Sequence, residues 1–309
     1  MIGNFCHWQI FKNSICQSQF CLFRKMVHHQ FNVVEKYGFN GPATPLPDIV
    51  EWLSRYGEGS VDLIKNSETG IAHVTLNQVK KKNCLSGKMM VDFYHIVEDL
   101  EQWTDGKGII LSGAGGTFCS GGDLDVVRQI ANPESGFKMA SLMHYTLNKL
   151  KNLPLISVCF ISGAGAIGGG AEVATACDYR LMSNEPNTKI GFVHSKMGIA
   201  PAWGGLLRLV DIVGSRQALD LLLSARLLSC DEACSINLVD SQIDSLDSVN
   251  VWLQDKVKFD KESIRAIKLT LSACSEKNRA LTELEQRLFA PTWGCAANRE
   301  MLRRAIKHK

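Results

Sequence analysis

The stretch ISVCFISGAGAIGGGAEVATACD, residues 156–178, organises the rest of the chain. It opens with the short, mostly apolar run Ile156 to Ile161, which is bounded by a proline and a glycine and is typical of a fully buried strand. Five glycines then fall within eight residues, and the small residues from Ala171 to Cys177 predict a buried helix. A glycine turn between strand and helix exposes backbone N–H groups at a helix N-terminus, where they can hold an anion.

Length and composition limit the possible classes of function. The chain has 309 residues, enough for one large domain or two, and 45% hydrophobic and 21% charged residues are typical of a globular protein. The formal net charge of +3 is too small to indicate a nucleic-acid partner. No apolar run reaches the roughly 18 residues of a membrane span. The eleven cysteines include no C-x-x-C pair, which favours free thiols in a reducing compartment.

The first 34 residues differ from the rest because they contain no Asp or Glu. Such an acid-poor, basic start is compatible with an organelle presequence or with a poorly ordered extension. Its cysteines and histidines match no common zinc-site spacing, so we expect no metal there. We expect an N-terminal extension and linker over residues 1–47, a core over 48–245 and a helical C-terminal region over 246–309.

Hydrophobic patterns around the central stretch predict strands that alternate with helices. Residues 61–64 and 71–76 have the pattern of paired strands, and Ser86 is placed to cap the helix that follows. Further strands are predicted over 108–112, 179–182 and 189–193, whereas about the last 60 residues have helical patterns. This alternation indicates an α/β fold. A second glycine loop, residues 113–123, follows the strand at 108–112.

The two glycine loops limit the classes of reaction that the protein could catalyse. Gly163, Gly165 and Gly168 match the G-x-G-x-x-G dinucleotide fingerprint, but the glycines continue to Gly170 in mid-chain, which disfavours a nicotinamide or flavin enzyme. No Walker lysine follows and no G-x-S-x-G elbow is present, which disfavours phosphoryl transfer and serine hydrolysis. The favoured hypothesis is an oxyanion hole, in which two backbone N–H groups hold one carbonyl oxygen as it becomes an enolate.

Three segments carry a resemblance to a known family: Phe118–Leu124 (FCSGGDL), Gly168–Asp178 and Met197–Gly205 (MGIAPAWGG). Together they resemble the crotonase (enoyl-CoA hydratase/isomerase) superfamily, over about residues 60–309. The resemblance implies an α/β, crotonase-like spiral of ββα units with a helical C-terminal trimerisation region, assembled as a homotrimer or a dimer of trimers. It also implies an acyl-CoA substrate, no separate cofactor or metal, and an oxyanion hole made by the N–H groups of Gly122 and Gly169.

The same resemblance implies where the substrate lies. The basic loop Lys80–Cys84 would follow the CoA moiety, with Lys82 and Cys84 as contacts. The Asn-Arg-Pro often found there is absent, since Asn77-Gln78-Val79 stands in its place. Neither a nucleic acid nor a membrane is expected as a partner. The other expected substrate contacts are Asp123, Leu124, Trp203 and Gly204.

Two positions decide the expected reaction. A hydratase of this superfamily holds one water with two carboxylates, and the first corresponds to Glu172 but the second to His194. With a histidine there, hydration is unsupported. His194 would orient a departing carboxylate or deliver a proton to the α-carbon. Glu172 would be neutral, with a pKa raised by burial, and donate that proton, or ionised, and repel the substrate carboxylate.

Decarboxylation of a malonyl-type thioester needs only an enolate, and it is the reaction that these residues favour. The resemblance, which includes Thr292-Trp293-Gly294, extends to superfamily members with this activity. It implies conversion of ethylmalonyl-CoA to butyryl-CoA and CO₂, with methylmalonyl-CoA as a poorer substrate. It further implies metabolite repair in the cytosol, with the mitochondrial matrix as the alternative. The other hypotheses are an enoyl-CoA isomerase or hydratase of fatty-acid oxidation, and a weakly active acyl-CoA binder.

Overall fold

A six-stranded sheet forms the centre of the fold. The computed structural model describes residues 38–275, 286–287 and 289–303. Its strands are β1 Ser60–Asn66, β2 Ile71–Asn77, β3 Gly108–Gly113, β4 Ile156–Ile161, β5 Ala166–Ile167, β6 Tyr179–Met182, β7 Ile190–Gly191 and β8 Ser241–Gln242. The large sheet has the order β1-β2-β3-β4-β6-β8, in which β1 and β2 are antiparallel and the other neighbours parallel. β5 and β7 form a separate parallel pair.

Local sequence explains where several helices begin. The described helices are α1 Leu46–Leu53, α2 Gly87–Glu101, α3 Leu124–Gln129, α4 Pro133–Asn152, α5 Gly169–Thr175, α6 Gly205–Val213, α7 Ser215–Ser224, α8 Cys230–Ser235, α9 Leu246–Lys256, α10 Lys261–Ser275 and α11 Ala296–Arg303. The Ser86 hydroxyl accepts the Met89 N–H before α2, as predicted, and Ser229 with Glu232 forms a capping box before α8.

Successive residues of the parallel strands face opposite sides of the sheet. Ile109 and Leu111 of β3 belong to the larger core, which also includes Phe93 of α2. Ile110, between them, packs on the opposite face in a cluster that includes Leu253 of α9. Both faces of these strands are therefore covered, which explains why β3 and β4 are apolar along most of their length.

The structure confirms most of the predicted elements and corrects two. The paired strands at 61–64 and 71–76, the strands at 108–112 and 179–182, and the helix after Ser86 are all present. The strand predicted over 189–193 is too long, because only Ile190–Gly191 pairs, with a partner strand β5 of two residues. Positive-φ glycines flank β5 and bend the chain away from it. The glycine-rich helix begins at Gly169, two residues earlier than predicted.

The C-terminal part is helical, as predicted, within the residues described. Helix α9 packs against the sheet, and Phe289 and Trp293 belong to the larger core, so this part shares the core with residues 48–245. The first 34 residues, with the presequence, extension and metal-site hypotheses, lie outside the described residues. Across the described ranges, no helix is both long enough and apolar enough to cross a bilayer.

Candidate active site

The two glycine loops meet through short parallel bridges. Cys119 pairs with Ala166: the Cys119 N–H donates to Gly165 and the Ile167 N–H donates to the Cys119 carbonyl, both at 3.1 Å. Glycine permits this approach, because a Cβ on Gly170 would lie 2.3 Å from the Cys119 carbonyl oxygen. The ends of both loops are thereby brought to one side of the fold.

Two backbone N–H groups remain available there. Leu85 pairs with Gly122 through its neighbours, since Leu85 N–H donates to Gly121 and Asp123 N–H donates to Leu85, so the Gly122 N–H points the other way. Gly169 is the first residue of α5, where N–H groups have no partner within the helix. In the part of the chain that the structure describes, neither N–H donates to a protein acceptor. Both residues line the same cavity.

We call this cavity the apolar pocket, and it encloses about 840 Å³, including the solvent at its mouth. Its walls come from distant parts of the chain. The pocket combines the ends of the glycine loops with aliphatic residues of α2 to α4 and three residues near the C-terminus. The residues used below are Gly122, Asp123, Leu124, Met139, Gly169, Glu172, His194, Met197, Trp203, Phe289, Trp293 and Asn298.

Glu172, one helical turn after Gly169, makes hydrogen bonds through both oxygens of its carboxylate. Its Oε1 accepts the backbone N–H groups of Trp203, at 2.9 Å, and Gly205, at 3.0 Å. Its Oε2 lies 3.0 Å from the Nε2 of His194. The side chain is 2% exposed, so these contacts take the place of water.

Burial raises the pKa of Glu172, but the charge and hydrogen bond of His194, the charge of Arg208 and the Trp203 N–H outweigh it. The pKa is therefore lowered from its ordinary value of 4.5. This direction favours the alternative in which Glu172 is ionised over the one in which burial keeps it neutral. Glu172 is an ionised partner of His194.

His194 leaves one ring nitrogen unused. With Nε2 bonded to Glu172, its Nδ1 is buried and has no hydrogen-bond partner among the described residues. The residue begins the tight turn Ser195–Met197 and lines the apolar pocket. Because a carboxylate can only accept, Nε2 carries the proton of this contact. The neutral ring then has its lone pair on Nδ1.

Trp203 connects the pocket to the Glu172 carboxylate. Its backbone N–H holds Oε1, and its buried ring lies against Gly169, where an added Cβ would be 2.4 Å from the indole. The indole N–H donates to the Met139 sulfur, at 3.1 Å. Trp203 therefore lines the apolar pocket beside one of the two available N–H groups, and its contact with substrate stays a prediction.

Sequence reasoning missed two buried residues beneath this site. Arg208 of α6 donates to the carbonyl groups of Glu172, at 3.0 Å, and Trp203, at 2.8 Å, and so ties the two segments together. His144 of α4 lies close to Arg208, and burial, followed by the charge of Arg208, lowers its pKa to about 4. An arginine within the apolar run of α6 was the available signal for the residue, although not for its contacts, whereas His144 falls on the apolar face of its helix.

A polar cleft adjoins the apolar pocket and shares with it Ser120, Gly122, Asp123 and Leu124. It has six basic residues against three acidic ones, which favours an anion. Lys82 and Cys84, predicted to follow CoA, both line the cleft. In the described ranges Lys82 has no ion-pair partner. Burial, then the charge of Asp123, raises the pKa of the Cys84 thiol to about 12, which favours the protonated thiol at neutral pH. The basic residues are Lys81, Lys82, Arg128, Lys189, Lys196 and Arg226.

Of the other predicted substrate contacts, Leu124 and Asp123 line the cavities and Gly204 does not. Leu124 is partly exposed at the junction of pocket and cleft. The carboxylate of Asp123 caps α3 through the Asp125 N–H and pairs with Lys81 at 2.9 Å, so it is already bonded. Gly204 lines neither cavity; it lies behind Trp203, where a Cβ would meet the side chains of Arg208 and His144. No cluster of three or more metal-ligating side chains occurs among the described residues.

Comparisons with known proteins show the family to which the chain is similar. The family model described as enoyl-CoA hydratase/isomerase matches residues 66–302. A curated relative from Xenopus laevis, named ethylmalonyl-CoA decarboxylase, is 41% identical over 83% of this chain and 87% of its own length. One of the same name from Bos taurus is 43% identical over 84% of this chain and 86% of its own.

A solved structure agrees in fold. The enoyl-CoA hydratase from Bacillus halodurans superposes with a TM-score of 0.70 at 22% identity, covering 79% of this chain and 98% of the other. The expected fold class, an α/β fold of the crotonase type, is therefore confirmed. The chain belongs to the enoyl-CoA hydratase/isomerase family.

Proposed function

We propose that the protein is a carboxy-lyase that converts ethylmalonyl-CoA to butyryl-CoA and CO₂, with methylmalonyl-CoA as a poorer substrate. One observation carries the proposal: a pocket with two available N–H groups contains a Glu172–His194 pair in place of two free carboxylates. Among the described residues, the other carboxylate of the pocket, Asp123, is bonded to Lys81 and to its own helix. The relatives named ethylmalonyl-CoA decarboxylase support the same reaction.

The first step breaks the bond between the α-carbon and the carboxylate. Its electron pair moves into the thioester, whose oxygen becomes an enolate oxyanion, and CO₂ leaves. The N–H groups of Gly122 and Gly169 hold that oxygen, and each such donor contributes about 3 kcal/mol to lowering the barrier. The ionised Glu172 and the apolar walls disfavour a charged carboxylate nearby, which assists its loss as neutral CO₂.

The second step adds a proton to the α-carbon and gives butyryl-CoA. His194 delivers it from Nδ1, the ring atom that has no partner in the described structure. The ionised Glu172 stabilises the positive ring that must form beforehand, and one solvent proton restores it after each turnover. Alignment of the ring by Glu172 follows the logic of a carboxylate that orients a catalytic histidine.

CoA occupies the polar cleft in this proposal. Lys82 and Cys84 contact it, Leu124 lies at the junction with the acyl group, and Trp203 borders the reacting centre. Asp123 acts through its helix cap and Lys81, and Gly204 acts by allowing the chain to turn at a φ of +80°. No metal or further cofactor takes part.

The deciding experiment measures three reactions of the purified protein. Racemic ethylmalonyl-CoA is followed by CO₂ release and butyryl-CoA formation, beside hydration of crotonyl-CoA and isomerisation of 3-hexenoyl-CoA. We expect CO₂ release to dominate, and His194→Gln to lower kcat by about a hundredfold or more. His73→Gln, in a strand that lines neither cavity, is the matched control. Fast hydration or isomerisation without CO₂ would contradict the proposal.

Assembly and location belong to the same proposal. Helices α7 and α10 carry exposed apolar residues one turn apart, Leu219 and Leu223 on α7 and Ile267 and Leu271 on α10. These suit burial between subunits of a homotrimer or a dimer of trimers. Light scattering after size exclusion tests the assembly, with a monomer as the contrary result. Fractionation of cells tests residence in the cytosol against the mitochondrial matrix.

A further inference from the structure

Near the C-terminus, Asn298 of helix α11 contacts the turn that carries His194. Its side chain is buried, with the residue 1% exposed, and its Nδ2 donates to the Met197 carbonyl at 2.7 Å. Its Oδ1 accepts the Gly294 N–H at 2.9 Å. A buried amide is unfavourable unless both of its groups are bonded. Here each group bonds to the backbone of a different segment, so the side chain joins the two.

From Met197 the connection continues to His194. The Met197 N–H donates to the His194 carbonyl at 2.9 Å, and the Ile199 N–H reaches the same carbonyl at 3.2 Å. Hydrogen bonds in such a series strengthen one another. Among the described residues, the His194 ring makes a hydrogen bond through Nε2 alone, to Glu172. The direction of Nδ1 therefore also depends on the backbone of this turn.

We propose that Asn298 is a positioning residue, which acts through Met197 to fix the turn and so aims Nδ1 of His194 into the apolar pocket. Both polar groups of Asn298 are bonded to backbone, so it acts on the histidine and takes no part in the bond changes. When the Met197 bond is lost, the turn shifts and proton delivery slows. Of the residues that line the polar cleft, only Lys196 belongs to this turn, so binding of CoA there is little affected. The kinetic part of this inference rests on the proposed decarboxylation.

The substitution Asn298→Asp tests the bond with little change in volume. It retains an acceptor for the Gly294 N–H but removes the donor to Met197. We expect kcat for ethylmalonyl-CoA to fall about tenfold or more with KM within about twofold, because misplacement of a reacting group affects turnover more than binding. Leu302→Ala is the control: it removes a buried side chain from the same helix that lines neither cavity. It should lower the melting temperature and keep kcat within about twofold.

A pH series separates positioning from general loss of packing. In Asn298→Asp the new carboxyl group, once protonated, has an O–H that can donate to Met197. We expect the ratio of variant to native kcat to rise as the pH falls toward 5. Leu302→Ala should show a constant ratio. A merely structural role predicts the same constant ratio for both variants.

Three results would overturn the inference: a native kcat in Asn298→Asp, no rise of its ratio at low pH, or an equal loss of kcat in Leu302→Ala. If Asn298→Asp does not fold, Asn298→Ser takes its place; its hydroxyl is too short to bridge both segments, and a native kcat would again overturn the inference.

A readout without turnover is the ring Cε1–H resonance of His194, assigned through His194→Gln. It should shift in the Asn298 variant and not in Leu302→Ala. If the native enzyme releases no CO₂, the proposed function fails, and this resonance still tests the positioning.

Discussion

The two glycine loops end alike and use their acids differently. Each presents an available glycine N–H to the apolar pocket and then an acidic residue at the start of a helix, Asp123 after Gly122 and Glu172 after Gly169. The Asp123 carboxylate bonds its own helix and Lys81, whose side chain is 43% exposed. The Glu172 carboxylate is buried and bonds His194.

This difference shows how one backbone arrangement serves two purposes. An acid at a helix N-terminus is favourable in both loops, because it faces the positive end of the helix dipole. In the first loop the acid stabilises the loop itself. In the second loop the acid directs a histidine into the pocket. The acid that matters for chemistry is recognised by its partner and not by its position on the helix.

The largest expected effect separates the two acids directly. Glu172→Gln removes the charge opposite His194 and places an amide N–H₂ against its Nε2–H, so we expect kcat to fall by about a thousandfold. Asp123→Asn, the matched change in the first loop, should stay within about threefold, because this carboxylate bonds its own helix and Lys81 and not His194. Steady-state CO₂ release measures both. Equal losses of kcat in the two variants would contradict the distinction between the two acids.

The next effect concerns the glycines that carry the N–H groups. A Cβ on Gly169 would lie 2.4 Å from the Trp203 ring, whereas the nearest atom to a Cβ on Gly122 is 3.7 Å away. Gly169→Ala therefore displaces a buried ring whose backbone holds Glu172, and we expect kcat/KM to fall about a hundredfold. Gly122→Ala should fall less than about fivefold and melt at the native temperature. A larger loss in Gly122→Ala would reverse the comparison.

A third effect is a dependence of stability on pH. Burial first, and then Arg208, lowers the pKa of His144 to about 4, against 6.5 for the unfolded chain. As the pH falls from 7 to 5, the unfolded chain gains a proton that the folded protein does not, so the free energy of unfolding falls by about 2 kcal/mol. The stabilisation due to the lowered pKa of Glu172 is fully present above about pH 4.5 and is lost only as the pH falls below that value.

Urea unfolding at pH 7 and pH 5 measures this effect. His144→Leu removes the titrating group beneath the second loop, so its stability should fall less between the two pH values than that of the native protein. His95→Leu, on the exposed side of α2, provides the control for loss of any histidine. An unchanged pH dependence in His144→Leu would show that another group is responsible.

The smallest effect is expected in the first loop. Asp123→Ala removes the cap of α3 and should lower the free energy of unfolding by about 1 kcal/mol. Lys81→Met should cost less, about 0.5 kcal/mol, because the lysine end of the pair is 43% exposed and is screened by solvent. Chemical denaturation measures both. A loss in Lys81→Met above that in Asp123→Ala would mean that the ion pair, and not the cap, holds this loop.

Much of the fold could be predicted because its signals are local. A strand such as β4 is an apolar run between chain-breaking residues. Ser86 marks the start of α2, because its hydroxyl caps the first turn of the helix. The length of β7 could not be predicted, since it depends on how many residues its partner β5 offers. Strand length is here a property of the pair.

The candidate site also has a part that local sequence predicts and a part that it does not. Gly122, Gly169 and Glu172 follow glycine patterns that are visible in the sequence, and the structure brings them to one pocket with His194. The contacts of Arg208 and Asn298 join segments far apart in the chain, and no local pattern reports them. The charge state of Glu172 depends on His194, Arg208 and the Trp203 N–H as well as on burial, which is why the sequence alone left its neutral and ionised alternatives open.

The C-terminal wall of the apolar pocket has a consequence for synthesis of the protein. All four residues of the proposed chemistry have been translated once His194 is added, but Phe289, Trp293 and Asn298 come about 100 residues later. At elongation rates of about 5–20 residues per second, a nascent chain carries its reactive groups for about 5–20 seconds before the wall can close. A chain halted between residues 243 and 288 would contain all eight described strands, but its apolar pocket would lack the C-terminal wall.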